Sequence, residues 1–287
     1  MTARMISVLV YSYKGKNLPE MVKNMVDTAD SVPYVVVKDQ NPLTREDKIK
    51  AKAIDYYNIF WDHQYGPASY RHESIYNGPD GYRMMVTDDI IFTPGWDTRL
   101  MDFVADKNII VSGQGTSRYR KKDKYFLTVD RYEANNFILS QIIDNNFMFG
   151  SKETFSSIQY PIQTKYFGES ELLSIECFCN NIDIYSAPSD LYTDLKNRTL
   201  ENLYAPFSLE HKYNDFINLI NEISYNRYSY YQGKERKLSD FLEFHGLKKN
   251  DLKPIPYQND DVLYDPNTLK FVDIGGERFL ASTKAIY

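Results

Sequence analysis

The start of the chain alternates short apolar runs with a segment of helical period, and this constrains the fold most. MISVLVYSYKGK (Met5 to Lys16) is an apolar, β-branched run that ends in a polar turn. Without polar alternation, and shorter than a helix needs, it reads as a strand covered on both faces. NLPEMVKNMVDTADS then changes period. Met21, Val22, Met25 and Val26 recur at helical spacing, and Pro19 stands where a helix start tolerates proline. PYVVVKDQNP (Pro33 to Pro42) is a second buried strand. Strand, helix, strand in this order predicts parallel pairing through a helical crossover, and so an α/β sheet flanked by helices.

The same reading extends along the chain. AIDYYNIFWDH reads as a third strand, ASYRHESIYN as a helix and YRMMVTDD as a fourth strand. TRLMDFVAD reads as a helix and NIIVSGQG as a strand, and NNFMFGSKETF and NNIDIYSAPSD hold further strand ends. The pattern changes after Leu200. LEHKYNDFINLINEISYNRYSYY reads as a long helix, and KLSDFLEFHGL as another with Ser239 as N-cap and Gly246 as its stop. The tail from Pro254 has hairpin-like strands. The expected organisation is an α/β domain over residues 1–200, with a mostly helical region and a short β tail over 201–287 packed on it.

Composition narrows the classes. With 287 residues, 43% hydrophobic and 25% charged, the chain can bury a real core. No segment approaches the roughly 20 apolar residues that span a bilayer, so no membrane partner is expected. Met5 to Val10 is too short for a signal peptide, which predicts a cytoplasmic protein. Cys177 and Cys179 are the only cysteines. Their C-x-C spacing rarely closes a disulfide and no Cys or His cluster completes a zinc site, so buried free thiols are expected. His63 and His72 likewise lack a ligand set, and Trp96 reads as packing. The formal net charge of -5 argues against a general polyanion binder, though not against a local basic patch.

The fourth strand ends in Thr87-Asp88-Asp89. In open α/β sheets, ligands bind beyond the carboxyl ends of the strands. A carboxylate pair there is expected to face solvent and a ligand without being buried. Two such oxygen donors suit Mg²⁺ or Mn²⁺, which take one or two carboxylates plus substrate phosphates and waters. Alone, an Asp-Asp pair is more often a solvated turn.

Five stretches in order raise the functional reading. YSYKGK supplies Ser12, Tyr13 and Lys14 after the first strand, and YGPASYRHE supplies Gly66, Pro67 and Arg71. VTDDIIFTPGWDTRL supplies Asp89, Phe92, Trp96 and Asp97. FGESELLSIECFCNNIDIYSAP supplies Gly168, Glu169 and Asp183, and QGKERKLSDFLEFHG supplies Gly233, Arg236, Leu238 and Phe241. Together they resemble the GT-A glycosyltransferases, and within them the N-acetylglucosaminyltransferase family that modifies hydroxyproline on a cytoplasmic protein. The likeness runs over about residues 5–246.

The resemblance implies a GT-A mixed sheet, a UDP-sugar donor, Mn²⁺ or Mg²⁺, and transfer with retention. Asp88 and Asp89 would hold the metal, with Asp89 in the place of a family histidine and Thr87 in the place of an acid. Asp194 is the residue expected to replace a later metal-binding histidine. Ser12, Tyr13, Lys14, Arg71 and Asp88 would bind the donor; a guanidinium forks onto phosphate oxygens, which suits Arg71. Glu169 would meet sugar or acceptor hydroxyls or steady developing positive charge, although a helix N-terminal acid is its plainer reading. Ser170 stands where the family has a second Glu, with Glu171 one residue later as the third catalytic candidate beside Glu169 and Asp89.

For the acceptor, SRYRKKDKYFLTVDRYE gathers Arg118, Arg120, Lys121, Lys122 and Lys124 among aromatic residues. Basic residues contact phosphates and rings stack on bases, so this stretch is a nucleic-acid candidate; a solvated loop is the alternative. A chain rich in Asn, Tyr, Lys and Ile also resembles proteins of T4-like bacteriophages. That likeness implies modified DNA as acceptor, with arabinose or glucose placed on hydroxymethylcytosine. A protein or glycan hydroxyl is the alternative acceptor, and an inactive nucleotide- or nucleic-acid-binding GT-A module is the alternative class.

Overall fold

Strand β1 (Ile6–Ser12) is buried along its whole length, because its two faces feed two different cores. Val8 and Val10 enter one hydrophobic cluster and Leu9 the other, as the two-residue period of a strand requires. The computed structural model describes residues 5–12, 17–39, 55–58, 79–114, 116–123, 126–132, 134–144, 146–159, 169–195, 235–245, 255–256, 272–274 and 277–279.

β2 (Tyr34–Asp39), β3 (Asp55–Asn58) and β4 (Tyr82–Thr87) are the strands expected from the apolar runs. All pair in parallel, in the order β3-β2-β1-β4. With β6 (Ile109–Gln114), β9 (Ile138–Leu139), β10 (Phe147–Ser151) and β11 (Asp183–Ala187), they build one eight-stranded mixed sheet ordered β3-β2-β1-β4-β10-β6-β11-β9. β10 runs antiparallel to both β4 and β6, so β4 and β6 point the same way.

Helix α1 (Leu18–Asp27) buries Leu18, Met21, Val22 and Met25, the stripe the sequence periodicity predicts. It shares one face of the sheet with α2 (Trp96–Val104). On the other face, Phe155 from α3 (Lys152–Ser156) and Leu173 and Cys177 from α4 (Glu169–Cys179) meet Leu9, Met85, Ile110 and Ile184. Both cysteines are buried free thiols.

Helix α5 (Leu238–Phe244) packs on α4, with the Phe241 and Phe178 rings 5.5 Å apart. Its N-cap is Lys237, not Ser239, which lies inside the first turn. The Lys237 amide donates to the Asp240 carboxylate at 2.8 Å, so an acid three residues on closes this end without a hydroxyl cap. Gly246, the helices expected at ASYRHESIYN and at LEHKYNDFINLINEISYNRYSYY, and the boundary near residue 200 lie outside the described residues. In the tail, β13 (Ile255–Pro256), β14 (Val272–Ile274) and β15 (Glu277–Phe279) form a three-stranded antiparallel sheet. No helix among the described residues is long and apolar enough to cross a membrane.

Candidate active site

The winding of the chain reverses at β1. It steps outward to β2 and β3, then returns to lay β4 on the opposite side of β1. A crevice opens beyond the carboxyl ends of strands at such a switch point. The parallel register sets Tyr11 against Thr87, so Ser12 and Asp88, the next residues on each chain, are neighbours. Ser12 Oγ donates to Asp88 Oδ2 at 2.6 Å, and Thr87 Oγ1 donates to Asp89 Oδ1 at 2.9 Å. Each carboxylate of the pair is thus met by its own hydroxyl.

The expectation that these acids stay unburied is wrong: Asp88 is 6% and Asp89 7% exposed. A segment about a hundred residues later runs beside the strand that follows them. β5 (Ile90–Phe92) pairs antiparallel with β12 (Tyr192–Asp194), and the Leu195 amide donates to the Asp89 carbonyl at 2.8 Å. The two hydroxyl hydrogen bonds, charge-assisted when the acids are ionised, offset part of the desolvation. The same pairing sets Asp194 opposite Ile90, one residue from Asp89. The segment that leads into β12 is tied to α2 as well, where Arg99 meets Asp190 at 2.9 Å and its hydrogen bond holds that carboxyl below its ordinary range.

Glu169 is the first residue of α4 and is buried. α4 ends in a turn at Asn181, and β11 begins with Asp183 opposite Ile109, the first residue of β6. The helix C-terminus therefore lies at the amino ends of these strands, and Glu169 lies toward their carboxyl ends, the sheet edge that carries Asp88 and Asp89. Among the described residues no group of three or more His, Cys, Asp or Glu could hold a metal ion. Two carboxylates still fit a cation that completes its shell with substrate phosphates and water.

Tyr13, Lys14, Arg71, His63, His72, Lys124, Gly66, Pro67, Gly168 and Gly233 lie outside the described residues. Glu171 is placed only as the third residue of α4. The basic stretch is a β-hairpin of β7 (Thr116–Asp123) and β8 (Phe126–Tyr132), which follows β6 at the same sheet edge. Its register sets Arg118 opposite Asp130, Arg120 opposite Thr128 and Lys121 opposite Leu127. After the hairpin the chain is fastened to the segment that leads into β12: Ser189 N donates to the Ala134 carbonyl at 2.7 Å, and Ala134 N donates to Ser189 Oγ at 2.9 Å.

Several residues of the family likeness build the fold. Trp96 is fully buried, donates from Nε1 to the Met25 carbonyl at 3.1 Å, and packs on Phe92. Asp97 accepts from the Asp30 and Ser31 amides at 2.9 and 2.8 Å. Asp183 accepts from Arg236 at 2.6 Å, joining two distant pieces of the likeness. Sequence reasoning missed Asn146, whose carbonyl receives the Thr87 amide at 3.0 Å and lies 3.3 Å from the Thr87 hydroxyl oxygen. A contribution made through a backbone carbonyl leaves no residue-type signal.

No protein-family model matches this sequence, and no curated protein matches it. Among solved structures, the chain is similar to the crystal structure of GalNAc-T7 with UDP, GalNAc and Mn²⁺, with a TM-score of 0.55 and 13% identity. The likeness covers 91% of this chain, which spans 60% of the length of that one. The fold is GT-A. The mixed sheet and its flanking helices are those the sequence resemblance implies, and the GT-A frame places Asp88 and Asp89 at the carboxyl end of its fourth strand.

Proposed function

We propose that this protein is a metal-dependent retaining glycosyltransferase that moves an arabinose- or glucose-type sugar from a UDP-sugar to the hydroxyl of hydroxymethylcytosine in phage DNA. The observation that carries the transferase reading is the hydroxyl-clamped pair Asp88 and Asp89 at the switch point of a GT-A sheet. The similarity to a structure that contains UDP, GalNAc and Mn²⁺ supports the donor and the ion.

Asp88 and Asp89 would hold Mn²⁺ or Mg²⁺, with Asp194 beside them in register. When bound, such an ion is a Lewis acid that neutralises charge on a leaving diphosphate. Ser12 steadies Asp88, and Lys14 and Arg71 bind phosphate oxygens. Glu169 and Glu171 meet hydroxyls of the sugar and acceptor. In the transfer, the acceptor oxygen bonds to the anomeric carbon, the bond from that carbon to the diphosphate breaks, and the acceptor proton passes to the leaving phosphate. That route needs no dedicated base.

The hairpin at the same sheet edge supports a polyanionic acceptor, since Arg118, Arg120, Lys121 and Lys122 stand on β7. The net charge of -5 favours a second reading, transfer to a protein or glycan hydroxyl. Incubation with UDP-sugars, Mn²⁺ and either hydroxymethylated or plain DNA separates the two. The expected result is a sugar adduct on hydroxymethylcytosine alone, seen by nucleoside mass spectrometry. Asp89→Ala should lower it about 1,000-fold, the scale of losing a group that stabilises transition-state charge. Unmodified DNA with UDP release in a protein mixture would move the acceptor to the second reading. UDP binding without any transfer would leave a binding module.

Changing Arg118, Arg120, Lys121 and Lys122 together to Ala should flatten the salt dependence of DNA binding. Each lost phosphate contact lowers the log–log slope by about 0.9. An unchanged slope would remove the hairpin from the acceptor site.

A further inference from the structure

We infer that Thr87 is a positioning residue for the cation site: its hydroxyl sets the orientation of the Asp89 carboxylate, and the Asn146 turn sets that hydroxyl. The inference rests on the reading that Asp88 and Asp89 hold a divalent cation.

Thr87 is 5% exposed and ends β4. Its Oγ1 lies 2.9 Å from Asp89 Oδ1 and 3.3 Å from the Asn146 carbonyl. A hydroxyl has one proton to give, and the nearer carboxylate oxygen takes it. The Thr87 amide is bonded to the same carbonyl at 3.0 Å, which locks the backbone from which the hydroxyl projects. Threonine is β-branched, so χ1 is stiff and the hydroxyl does not swing freely.

The Asn146 turn is itself fixed. Its amide donates to Asp144 Oδ1 at 2.9 Å, and the Asp144 amide donates to Ser112 Oγ on β6 at 2.6 Å. Gly113 lies against this turn at φ +69, where a Cβ would sit 3.1 Å from Asp144 Cβ. A continuous run of hydrogen bonds therefore leads from β6 to Asp89. The torsion at the end of an aspartate is otherwise broad and two-fold. Deleting the Thr87 hydroxyl removes one restraint on that torsion, so the carboxylate would present its oxygens to a cation less consistently. Loss of such outer partners commonly costs 10- to 100-fold in metal affinity.

The test is Mn²⁺ binding by isothermal titration on the full chain. Thr87→Val keeps the shape and deletes the hydroxyl; Thr87→Ser keeps the hydroxyl. Thr87→Ala is measured beside them as a second hydroxyl-free variant. Val and Ala should weaken Mn²⁺ binding about 10-fold or more, and Ser should stay within about 2-fold of wild type. UDP affinity measured without metal should be the same in all four proteins, a result that a general loss of structure would not give. Val within 2-fold of wild type, or Ser as weak as Val, overturns the positioning role. So does failure of both hydroxyl-free variants to fold, which would make the hydroxyl a support of the fold. Wild type that takes up no Mn²⁺ either alone or with UDP present overturns the cation site itself and the positioning role with it.

Discussion

Acids as buried as Asp88 and Asp89 persist only where hydrogen bonds or a cation compensate the lost water. Ser12 and Thr87 supply the first kind of compensation at 2.6 and 2.9 Å. Cys177 is the opposite case, a group held neutral. Burial, reinforced by the charge of Glu176, pushes its thiol well above its ordinary value of 9.0. The folded chain therefore keeps this proton more tightly than the unfolded chain does. The resulting stability is fully present below the ordinary thiol value and is lost as pH rises above it, because only the unfolded thiol ionises there. Denaturant midpoints measured from pH 7 to 10.5 should accordingly fall above about pH 9, and less so in Cys177→Ala. Iodoacetamide at pH 8 should modify neither cysteine until denaturant is added; rapid labelling of the native protein would refute the burial.

At the scale of elements, β5 is three residues long and could not stand alone. Asn24 of α1 holds one edge, donating to the Phe92 carbonyl at 3.2 Å and accepting the Phe92 amide at 2.7 Å. β12 holds the other. Because β5 begins next to Asp89, these two supports also place the acid. Asp97 performs a similar service for the turn after α1. It is fully buried, lies in the first turn of α2, and satisfies two amides at 2.9 and 2.8 Å. Asp97→Ala should cost about 3 kcal/mol, since it strands two backbone donors. Asp97→Asn should cost less, because its one carbonyl oxygen still accepts. Urea unfolding at pH 7 gives both values, and equal costs for the two variants would contradict the shared-acceptor geometry.

Over the whole molecule, α5 is joined to the sheet by chemistry from widely separated parts of the chain. Arg236 meets Asp183 at 2.6 Å and also lies over the Phe178 ring, and Phe241 is buried against the same ring. The ion pair is about one-third exposed on each side, so solvent screens it and the buried ring carries more of the attachment. Phe241→Ala should destabilise the protein by about 3 kcal/mol in a single cooperative transition. A main transition left in place, with early proteolysis near residues 237–244, would show that α5 detaches independently.

The first four strands, α1 and α2 were legible in the sequence because burial on one or both faces writes its period into neighbouring residues. The position of the Asp88-Asp89 pair at a strand end was legible because it closes a run of that kind. The burial of the pair was not, since the partners that meet at this strand end, Ser12 and the Leu195 amide, come from distant parts of the chain. Asn146 was invisible because a carbonyl carries no residue identity. Local sequence therefore determined which segments become strands and helices and which edge of the sheet receives the acids. Only tertiary structure decided what else those acids touch, because long-range pairing brings the Ser12 hydroxyl to Asp88 and the Leu195 amide to the Asp89 carbonyl without any periodic mark in the chain.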